Sequence, residues 1–215
     1  MRQIHNAAPR PRGRPQVRSD DETRHLIAEA AAREFQANGY AGTSMSSVAQ
    51  SAGVSTKTMY RLIPTKADLF TVVVADRIGR FILAIEDRAL CATDLAEGLE
   101  RVLSAYGNLT LNEETIALNR LVIGECDRFP EIAGAFYETA VVGTTNAMER
   151  WLRRQCERGL MQLDDPLAAA GMLRGMMIME PQRAVMLGQR AAPTTEEITD
   201  RARACAKLFL QGCRV

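Results

Sequence analysis

The stretch AQSAGVSTKTMYRLIPTK, residues 49–66, decides the fold of the N-terminal part of this chain. Its pattern predicts the end of one short helix, a tight turn, a second short helix and the start of a third. Ala49, Gly53 and Met59 have the spacing of a helix-turn-helix. The alanine lets the two helices approach closely, the glycine can adopt the left-handed conformation of the turn, and the methionine fills the angle between the helices.

Polar and basic residues begin the second helix of this motif. Ser55 can cap it by accepting a hydrogen bond from a free backbone N–H group of the first turn. Thr56, Lys57 and Thr58 follow, at the end of a recognition helix that enters the major groove of DNA. The motif therefore predicts a DNA-binding protein.

Length and composition predict an all-α protein that can bury a substantial core. The 215 residues suit one large domain or two small ones, and apolar residues recur at helical spacing without strand-like alternation. No apolar run is long enough to span a membrane, and the basic, Pro-rich N-terminus lacks the apolar core of a signal peptide. We therefore expect a cytoplasmic protein with no membrane partner.

The cysteines do not form a metal-binding or disulfide pattern. Their number is odd, they are widely separated, and no C-x-x-C pair occurs. We expect no metal site and no cofactor, with the thiols serving as small apolar side chains; a redox sensor is the alternative. The cysteines are Cys91, Cys126, Cys156, Cys205 and Cys213.

The first 20 residues predict a disordered basic arm. Five arginines and no acidic residue fall within the first 18 residues, whereas the whole chain has a net charge of +1, so the remainder is mildly acidic. The segment Pro11–Pro15, PRGRP, looks like the core of an AT-hook, in which Arg12 and Arg14 lie along a narrow A·T minor groove. The alternative is a solvated tail that adds only nonspecific attraction to phosphates.

Capping residues and helix breakers divide the rest of the chain into two predicted domains. Residues 21–66 form a three-helix DNA-binding domain, and residues 67–215 form a helical C-terminal domain. Gly39 ends the first helix, and Thr65 with Asp68 predicts a capping box at the start of a long fourth helix. Apart from this fourth helix, the predicted helices cover residues 21–38, 44–51, 55–63, 94–109, 113–128, 131–158, 166–188 and 195–212.

Over residues 24–70 the chain resembles the TetR family of bacterial transcriptional regulators. An amphipathic first helix precedes the segment GYAGTSMSSVAQSAGVSTKTMY, residues 39–60. One departure is Leu62 with Ile63, where the family commonly has an aromatic residue, although the apolar packing role is kept. The matching positions are Gly39-Tyr40, Thr43-Ser44, Val48-Ala49, Ala52-Gly53-Val54-Ser55, Thr58-Met59-Tyr60 and Lys66-Ala67-Asp68-Leu69.

The C-terminal part is similar to the AefR-like group of TetR C-terminal domains. The matching segments are Glu125–Glu131, Phe136-Tyr137, Gly159-Leu160 and Asp165–Ala169. This similarity implies that residues 67–215 form a helical ligand-binding and dimerisation domain. It does not name the ligand.

The resemblance implies a homodimer whose two recognition helices enter major grooves of a palindromic operator in double-stranded DNA. Thr56, Lys57 and Thr58 are then the candidates for base edges, because lysine can donate to guanine O6 and N7 and threonine methyls can contact thymine. Tyr60 and Lys66 are expected at phosphates, together with the N-termini of helices two and four. The predicted DNA-binding set also includes the capping residue Ser55 and two further serines, Ser44 and Ser46, which can contact either the DNA backbone or a base edge.

Apolar stripes on the last two predicted helices are the candidates for the dimer interface. In the TetR family the corresponding helices form a four-helix interface across a two-fold axis. The alternative is that these stripes close the core of the single protomer. The predicted interface residues are Leu173, Met177, Ala202, Cys205 and Phe209.

The Met-rich run at residues 171–179 indicates a ligand pocket, because flexible, polarisable methionines can line a cavity that accepts apolar molecules. Ordinary core packing is the alternative. The resemblance implies an unidentified small-molecule effector that favours a dimer with wrongly spaced recognition helices, and helix four is expected to transmit the change. The predicted ligand-binding residues are Arg120, Phe136, Tyr137, Trp151, Met172 and Met176.

An enzyme, an architectural DNA-binding protein and a transcriptional activator are the alternatives to a repressor. The only histidines are His5 and His25, so Ser–His or Cys–His catalysis lacks its base, and no phosphate-binding Gly loop is present. No catalytic residue is therefore predicted. The large C-terminal domain argues against a purely architectural role. Repression and activation are not distinguished by the residues, because the outcome depends on where the operator lies.

Overall fold

A computed structural model describes residues 18–89, except for the side chains of residues 86–89, and residues 94–212. All regular structure in these ranges is helical, which confirms the predicted all-α fold. No helix within them is long and apolar enough to cross a membrane. The elements are α1 (Asp20–Gly42), α2 (Met45–Ser51), α3 (Thr56–Leu62), α4 (Lys66–Ala89), α5 (Leu95–Thr110), α6 (Glu113–Glu125), α7 (Pro130–Phe136), a π-helical segment (Tyr137–Val142), α8 (Gly143–Glu157), α9 (Pro166–Met186) and α10 (Thr195–Gly212).

Helix α1 begins at a capping box that the sequence prediction missed. The Ser19 hydroxyl accepts a hydrogen bond from the Glu22 backbone N–H at 3.1 Å, and the Glu22 carboxylate accepts one from the Ser19 N–H at 2.8 Å. The helix therefore starts at Asp20, one residue earlier than predicted. At the other end Gly39 has a φ of 70°, so the regular helix is interrupted at the predicted glycine.

Helices α2 and α3 pack as the helix-turn-helix motif predicts. Ala49 and Met59 are buried, and Gly53 adopts a φ of 66° in the turn between the helices. Leu62 and Ile63 are also buried, so this apolar pair fills the packing role of the aromatic residue that the family pattern has there. These side chains share one core cluster with α1 and the first part of α4.

Helix α4 belongs to both hydrophobic core clusters of the described chain. Thr65 and Asp68 form the predicted capping box at its start, with hydrogen bonds of 3.1 and 3.2 Å between each side chain and the other residue's N–H group. Phe70 packs with α1–α3, whereas Phe81 packs with α5 and α8–α10. Helix α4 therefore packs against α1–α3 at its start and against the C-terminal helices further along.

The predicted single helix over residues 131–158 is wrong, because a π-helical segment interrupts it. The hydroxyl groups of Thr144 and Thr145 bond back to the carbonyls of Ala140 and Val141 at 2.6 and 2.7 Å, which supports the widened turn. The spacing of apolar residues identifies a helix only over several turns, so the one extra residue in a single π turn does not change that pattern enough to be recognised.

Helices α5 and α8–α10 surround the second core cluster, which includes the fully buried Trp151. Gly107 marks a close approach of three helices at this core. A Cβ atom there would lie 2.6 Å from Cε of Met177 on α9 and 2.7 Å from Cγ2 of Ile198 on α10. Glycine therefore permits α5 to pack directly against both C-terminal helices.

Candidate nucleic-acid interface and effector cavity

The surface that the motif assigns to DNA begins at the N-terminal end of α3. The Ser55 hydroxyl accepts a hydrogen bond from the Thr58 backbone N–H at 3.0 Å, which confirms the predicted cap. Thr56 and Lys57 are exposed and have no hydrogen bond or ion pair with the rest of the described chain. Thr58 is partly buried, and its hydroxyl lies 2.9 Å from that of Ser55. Among the described residues, Lys57 is therefore an exposed cation at this helix end whose charge has no protein partner.

Helix α2 and the outer side of α3 present the remaining predicted contacts. Ser44 is exposed, and its hydroxyl caps α2 by accepting a hydrogen bond from a first-turn N–H group at 3.0 Å. Ser46 is exposed beside it, and Tyr60 has half of its surface exposed, at 50%. Arg12 and Arg14 of the predicted arm lie outside the described residues, so their minor-groove contact stays a prediction.

Lys66, which was predicted at a phosphate, lies in a small cluster between α1, α4 and α6. Its Nζ is 4.5 Å from the centroid of the Tyr40 ring and donates to the Ala41 carbonyl at 3.3 Å. Burial lowers the pKa of Lys66, an effect that the nearby Glu125 and Glu131 carboxylates oppose. The ammonium group is therefore partly engaged within the protein.

Glu125, the last residue of α6, joins that helix to the turn ahead of α2. Its carboxylate accepts hydrogen bonds from the backbone N–H groups of Tyr40 at 2.8 Å and Ala41 at 3.2 Å. A Cβ atom at Gly39 would lie only 2.9 Å from a Glu125 carboxylate oxygen, so a side chain there would displace this carboxylate. The contact joins residues 85 positions apart, and no local sequence pattern reveals it.

An aromatic cluster supports this junction. The Tyr40 ring stacks on Phe35 with a centroid distance of 5.6 Å and meets Phe70 and Phe129 edge-on at 5.9 and 5.1 Å. Burial, followed by the charge of Glu131, raises the pKa of Tyr40 to about 12, so its hydroxyl stays neutral at physiological pH. The cluster holds the end of α1 against the segment that precedes α7.

Two arginines of the DNA-binding helices hold those helices together. The two terminal nitrogens of Arg61 each donate to a carboxylate oxygen of Asp20 at 2.8 Å. Arg24 donates to the Leu62 carbonyl at 2.8 Å and so satisfies the C-terminal end of α3. Arg61 therefore ties α3 to the start of α1 in this conformation.

A cavity of about 160 Å³ lies where α4, α5, α6, the end of α7, the π-helical segment, α8 and α9 meet. Its walls are mainly apolar, with a few polar side chains and, among its described lining residues, no Asp or Glu. Such a space has the composition of a small-molecule site. The apolar lining includes Val74, Ile78, Leu109, Leu118, Phe136 and Ile178. The larger polar side chains are Arg77, Tyr106, Asn119, Arg174 and Gln182.

Of the predicted ligand-binding residues, the structure places only Phe136 at this cavity. Trp151 is fully buried in the second core cluster, where its indole fills packed space. Tyr137 directly follows Phe136, and because adjacent side chains on a helix point in different directions, it lies outside the cavity and is 57% exposed. Of these two neighbouring aromatic residues, only Phe136 therefore lines the cavity.

The other three predicted ligand-binding residues also lie outside the cavity. Met172 is exposed on α9, and Met176 lines a surface groove on the same helix. Arg120 donates to the Met186 carbonyl at 3.0 Å and so caps the end of α9. The Met-rich run contributes Arg174 and Ile178 to the cavity, and none of its methionines.

Four of the five residues predicted for the dimer interface are buried in the core of the protomer, so the prediction is wrong for these four, while the partly buried Phe209 stays a prediction. Leu173, Met177, Ala202 and Cys205 are buried, and Phe209 packs against the same cluster. The stripes therefore close the protomer's own core. Large exposed apolar residues lie elsewhere on these helices and at the end of α9, namely Leu167, Met172, Met179, Leu187 and Leu208.

The described cysteines are free thiols. Cys205 is buried, and this burial raises the pKa of its thiol, which disfavours the reactive thiolate. Cys126 and Cys156 are partly buried, while Cys91 and Cys213 lie outside the described residues. Cys205 is therefore poorly suited to the redox-sensing alternative.

Comparison with known protein families assigns both parts of the chain. Residues 27–73 match the bacterial regulatory proteins of the tetR family, and residues 97–212 match the AefR-like transcriptional repressor, C-terminal domain. The chain belongs to the TetR family of transcriptional regulators. The predicted resemblance is confirmed for both the N-terminal and the AefR-like part.

Solved structures of TetR-family regulators share this fold over most of the chain. A TetR-family transcriptional regulator from Mesorhizobium loti MAFF303099 is 28% identical, with 91% of this chain and 98% of that chain covered and a TM-score of 0.77. The flavonoid-responsive regulator FrrA is 27% identical, with coverages of 90% and 98% and a TM-score of 0.70. A regulator from Pseudomonas syringae pv. tomato str. DC3000 is 25% identical, with coverages of 89% and 96% and a TM-score of 0.62. No curated protein matches the sequence.

Proposed function

We propose that this TetR-family protein is a homodimeric repressor that binds a palindromic operator and is released from it by a small molecule. The observation that carries the proposal is that α4 and α6 both line the cavity and both contact the DNA-binding helices. FrrA, which is described as flavonoid-responsive, supports an effector response in a relative of this chain.

Recognition of bases is assigned to the exposed start of α3. Lys57 has no protein partner among the described residues, so it can donate to guanine O6 and N7 without breaking an existing contact. Thr56 and the partly buried Thr58 offer methyl groups to thymine. The phosphate contacts are assigned to Ser44, Ser46, Ser55, Tyr60 and Lys66.

The N-terminal arm adds a second mode of contact to this proposal. Arg12 and Arg14, with the glycine between them, suit an A·T-rich minor groove beside the operator. The arm would then add both electrostatic affinity and a preference for flanking A·T pairs.

Dimerisation is assigned to the exposed faces of α9 and α10. Met172, Gly175 and Met179 recur at spacings of three and four residues along α9, where the small glycine permits close approach of another helix. Ala204 and Leu208 are exposed on α10 at the same helical spacing. Two copies of this helix pair would remove these apolar side chains from water and form a four-helix interface.

The interface assignment is tested by a double charge substitution, Met172→Glu with Met179→Glu. We expect sedimentation velocity at micromolar concentration to give a dimer for the wild-type chain and a monomer for this variant. Leu83→Glu is the matched control, because Leu83 is exposed to a similar degree on α4. A dimer that survives the double substitution would place the interface elsewhere.

Communication between effector and operator is assigned to both α4 and α6. Helix α6 lines the cavity through Leu118 and Asn119, and its last residue, Glu125, holds the backbone of the turn ahead of α2. A ligand that favours a different spacing of α4 and α6 would bias the orientation of both DNA-binding domains. By linkage, DNA and effector then weaken each other's binding by equal factors.

Selection of bound duplexes from a random DNA pool tests the function, with the intact chain compared with a chain lacking residues 1–18. We expect one short palindrome from both proteins and an A·T-rich flank only with the intact chain. Coating of DNA without an enriched sequence would instead support the architectural alternative. Transcription in vitro from a promoter carrying the palindrome is expected to fall on addition of protein, and a rise would identify an activator.

A further inference from the structure

The cavity contains a cation that the described chain does not neutralise. Arg174 on α9 is partly buried; its Nε donates to the Tyr106 hydroxyl at 3.0 Å and its Nη1 donates to the Thr145 hydroxyl. Both acceptors are neutral oxygens. No described carboxylate forms an ion pair with Arg174, and its other N–H groups have no acceptor in the described part of the chain. A partly buried charge in this setting favours an anionic partner.

A second arginine at the cavity shows the contrast. Arg77 on α4 donates to the Glu114 carboxylate at 2.8 Å and lies 3.5 Å from the Thr115 hydroxyl. Its charge is therefore balanced by an acidic residue of α6. The two arginines leave the cavity wall with one neutralised cation and one cation that lacks an acidic partner.

Tyr106 places a further hydrogen-bond donor beside Arg174. Burial raises the pKa of Tyr106, an effect that Arg174 partly offsets, so the hydroxyl keeps its proton at neutral pH. Its oxygen accepts a hydrogen bond from Arg174, and no described residue accepts its proton. The O–H group is therefore available to an acceptor inside the cavity.

We infer that the effector is an amphiphilic carboxylate whose apolar body fills the cavity and whose carboxylate binds Arg174 and Tyr106. This inference rests on the proposed effector response and names the chemistry of its ligand. A guanidinium can bind a carboxylate through two parallel hydrogen bonds, which makes it a specific partner for this head group. The volume of about 160 Å³ suits a single aromatic ring as the apolar body, since an engineered apolar cavity of about 150 Å³ accepts benzene.

Three probes that share one apolar body test the inference on the full chain by isothermal titration calorimetry. The probes are 3-phenylpropanoate, its primary amide and 3-phenylpropylamine, which carry an anionic, a neutral and a cationic head group. We expect the carboxylate to bind about tenfold or more tightly than the amide, since a hydrogen bond to a charged group is the stronger one, and the amine to bind weakest. Equal affinities, a preference for the amine or no binding of the carboxylate would overturn the inference.

Arg174→Gln locates the head group. This variant keeps polar hydrogen-bonding atoms but removes the charge, so we expect the carboxylate to bind no more tightly than the amide. The matched control is Arg150→Gln on the exposed side of α8, which should retain the wild-type ratio of affinities. If Arg77→Gln lost the preference for the carboxylate over the amide while Arg174→Gln kept it, the head group would bind Arg77, and the assignment to Arg174 would be wrong. Circular dichroism checks that each variant is folded, and the wild-type ratio decides the question if Arg174→Gln does not fold.

The two proposals fail in different measurements. Probe binding is measured on the DNA-free protein, so a carboxylate preference without any selected palindrome would retain this site and reject the operator-binding role. A selected palindrome with no carboxylate preference would retain the regulator and reject the anionic effector.

Discussion

The functional side chains of the DNA-binding helices α1–α3 point into solvent, whereas those of the cavity formed by α4–α9 point into the protein. At the start of α3, the side chains of Thr56 and Lys57 are exposed and have no hydrogen bond or ion pair within the described residues. Inside the cavity, Arg174 and Tyr106 are turned toward apolar walls and bond to each other. The exposed start of α3 is supported by an apolar core behind it, whereas the side chains that line the cavity are themselves packed inside the protein.

This difference separates affinity from stability. A substitution at an exposed site without protein partners changes binding and leaves the folded state almost unaffected. A substitution at the cavity removes a partner of another buried group, so binding and stability change together. Affinity and stability are therefore expected to change separately at the start of α3 and together at the cavity.

The largest effect is expected for Lys57→Ala. Loss of a good base contact costs about 1–3 kcal/mol, and the dimer loses two copies, so operator affinity should fall by about 2–6 kcal/mol. The midpoint of thermal unfolding should not change, because the Lys57 side chain is exposed and has no hydrogen bond or ion pair in the described fold. Fluorescence anisotropy with the selected palindrome measures the affinity.

Arg150→Ala is the matched control for this effect. Arg150 is exposed on α8, outside the helices assigned to DNA contact and to dimerisation, so its removal should change neither the operator affinity nor the unfolding midpoint. A Lys57→Ala protein that binds the palindrome as tightly as the wild type would remove α3 from base recognition.

The same contrast explains how much of the molecule could be predicted from the sequence. The contacts of the helix-turn-helix are local: the Ser55 cap, the Gly53 turn and the exposed Lys57 lie within a few residues of one another, and sequence spacing fixes them. The cavity collects residues from Val74 to Gln182, and its geometry depends on how separate helices pack. A pattern within one helix does not contain that information.

Helix α9 shows where the prediction failed in physical terms. It carries apolar residues on both faces, with Leu173 and Met177 buried and Met172 and Met179 exposed. Periodicity identifies such a helix but cannot tell which face meets the core. The cavity takes Arg174, the polar residue within this apolar run, which is not among the predicted ligand-binding residues.

Gly107→Ala tests the packing beside the cavity. The new methyl group would meet Met177 and Ile198 at less than 3 Å, and such overpacking costs about 1–3 kcal/mol in the free energy of unfolding. Chemical denaturation measures this loss. Gly79→Ala on α4 is the control of opposite sign, because nothing lies within 4 Å of its new methyl group and alanine favours a helix by up to about 1 kcal/mol. Equal stabilities of the two variants would contradict the close approach of α5 to α9 and α10.

Glu125→Ala tests the link between the two regions. The change removes the acceptor of two backbone N–H groups, and the expected cost is about 1–2 kcal/mol of unfolding free energy. The factor by which a cavity ligand weakens operator binding should fall toward one, because α6 no longer holds the turn ahead of α2. Glu125→Gln, which keeps one carbonyl oxygen, should retain part of this factor. An unchanged factor in Glu125→Ala would leave α4 as the route of communication.

The smallest effect is expected for Tyr106→Phe, which removes a single oxygen from the cavity. Arg174 loses one neutral acceptor, so the free energy of unfolding should fall by about 0.5–1.5 kcal/mol. Affinity for 3-phenylpropanoate should fall several-fold while affinity for its amide changes less, because the lost O–H group is a donor to the anionic head group. Tyr137→Phe, on the exposed side of the π-helical segment, should change neither quantity. A Tyr106→Phe protein that loses stability but keeps its preference for the carboxylate would show that the hydroxyl only orients Arg174, and that the guanidinium alone selects the anion.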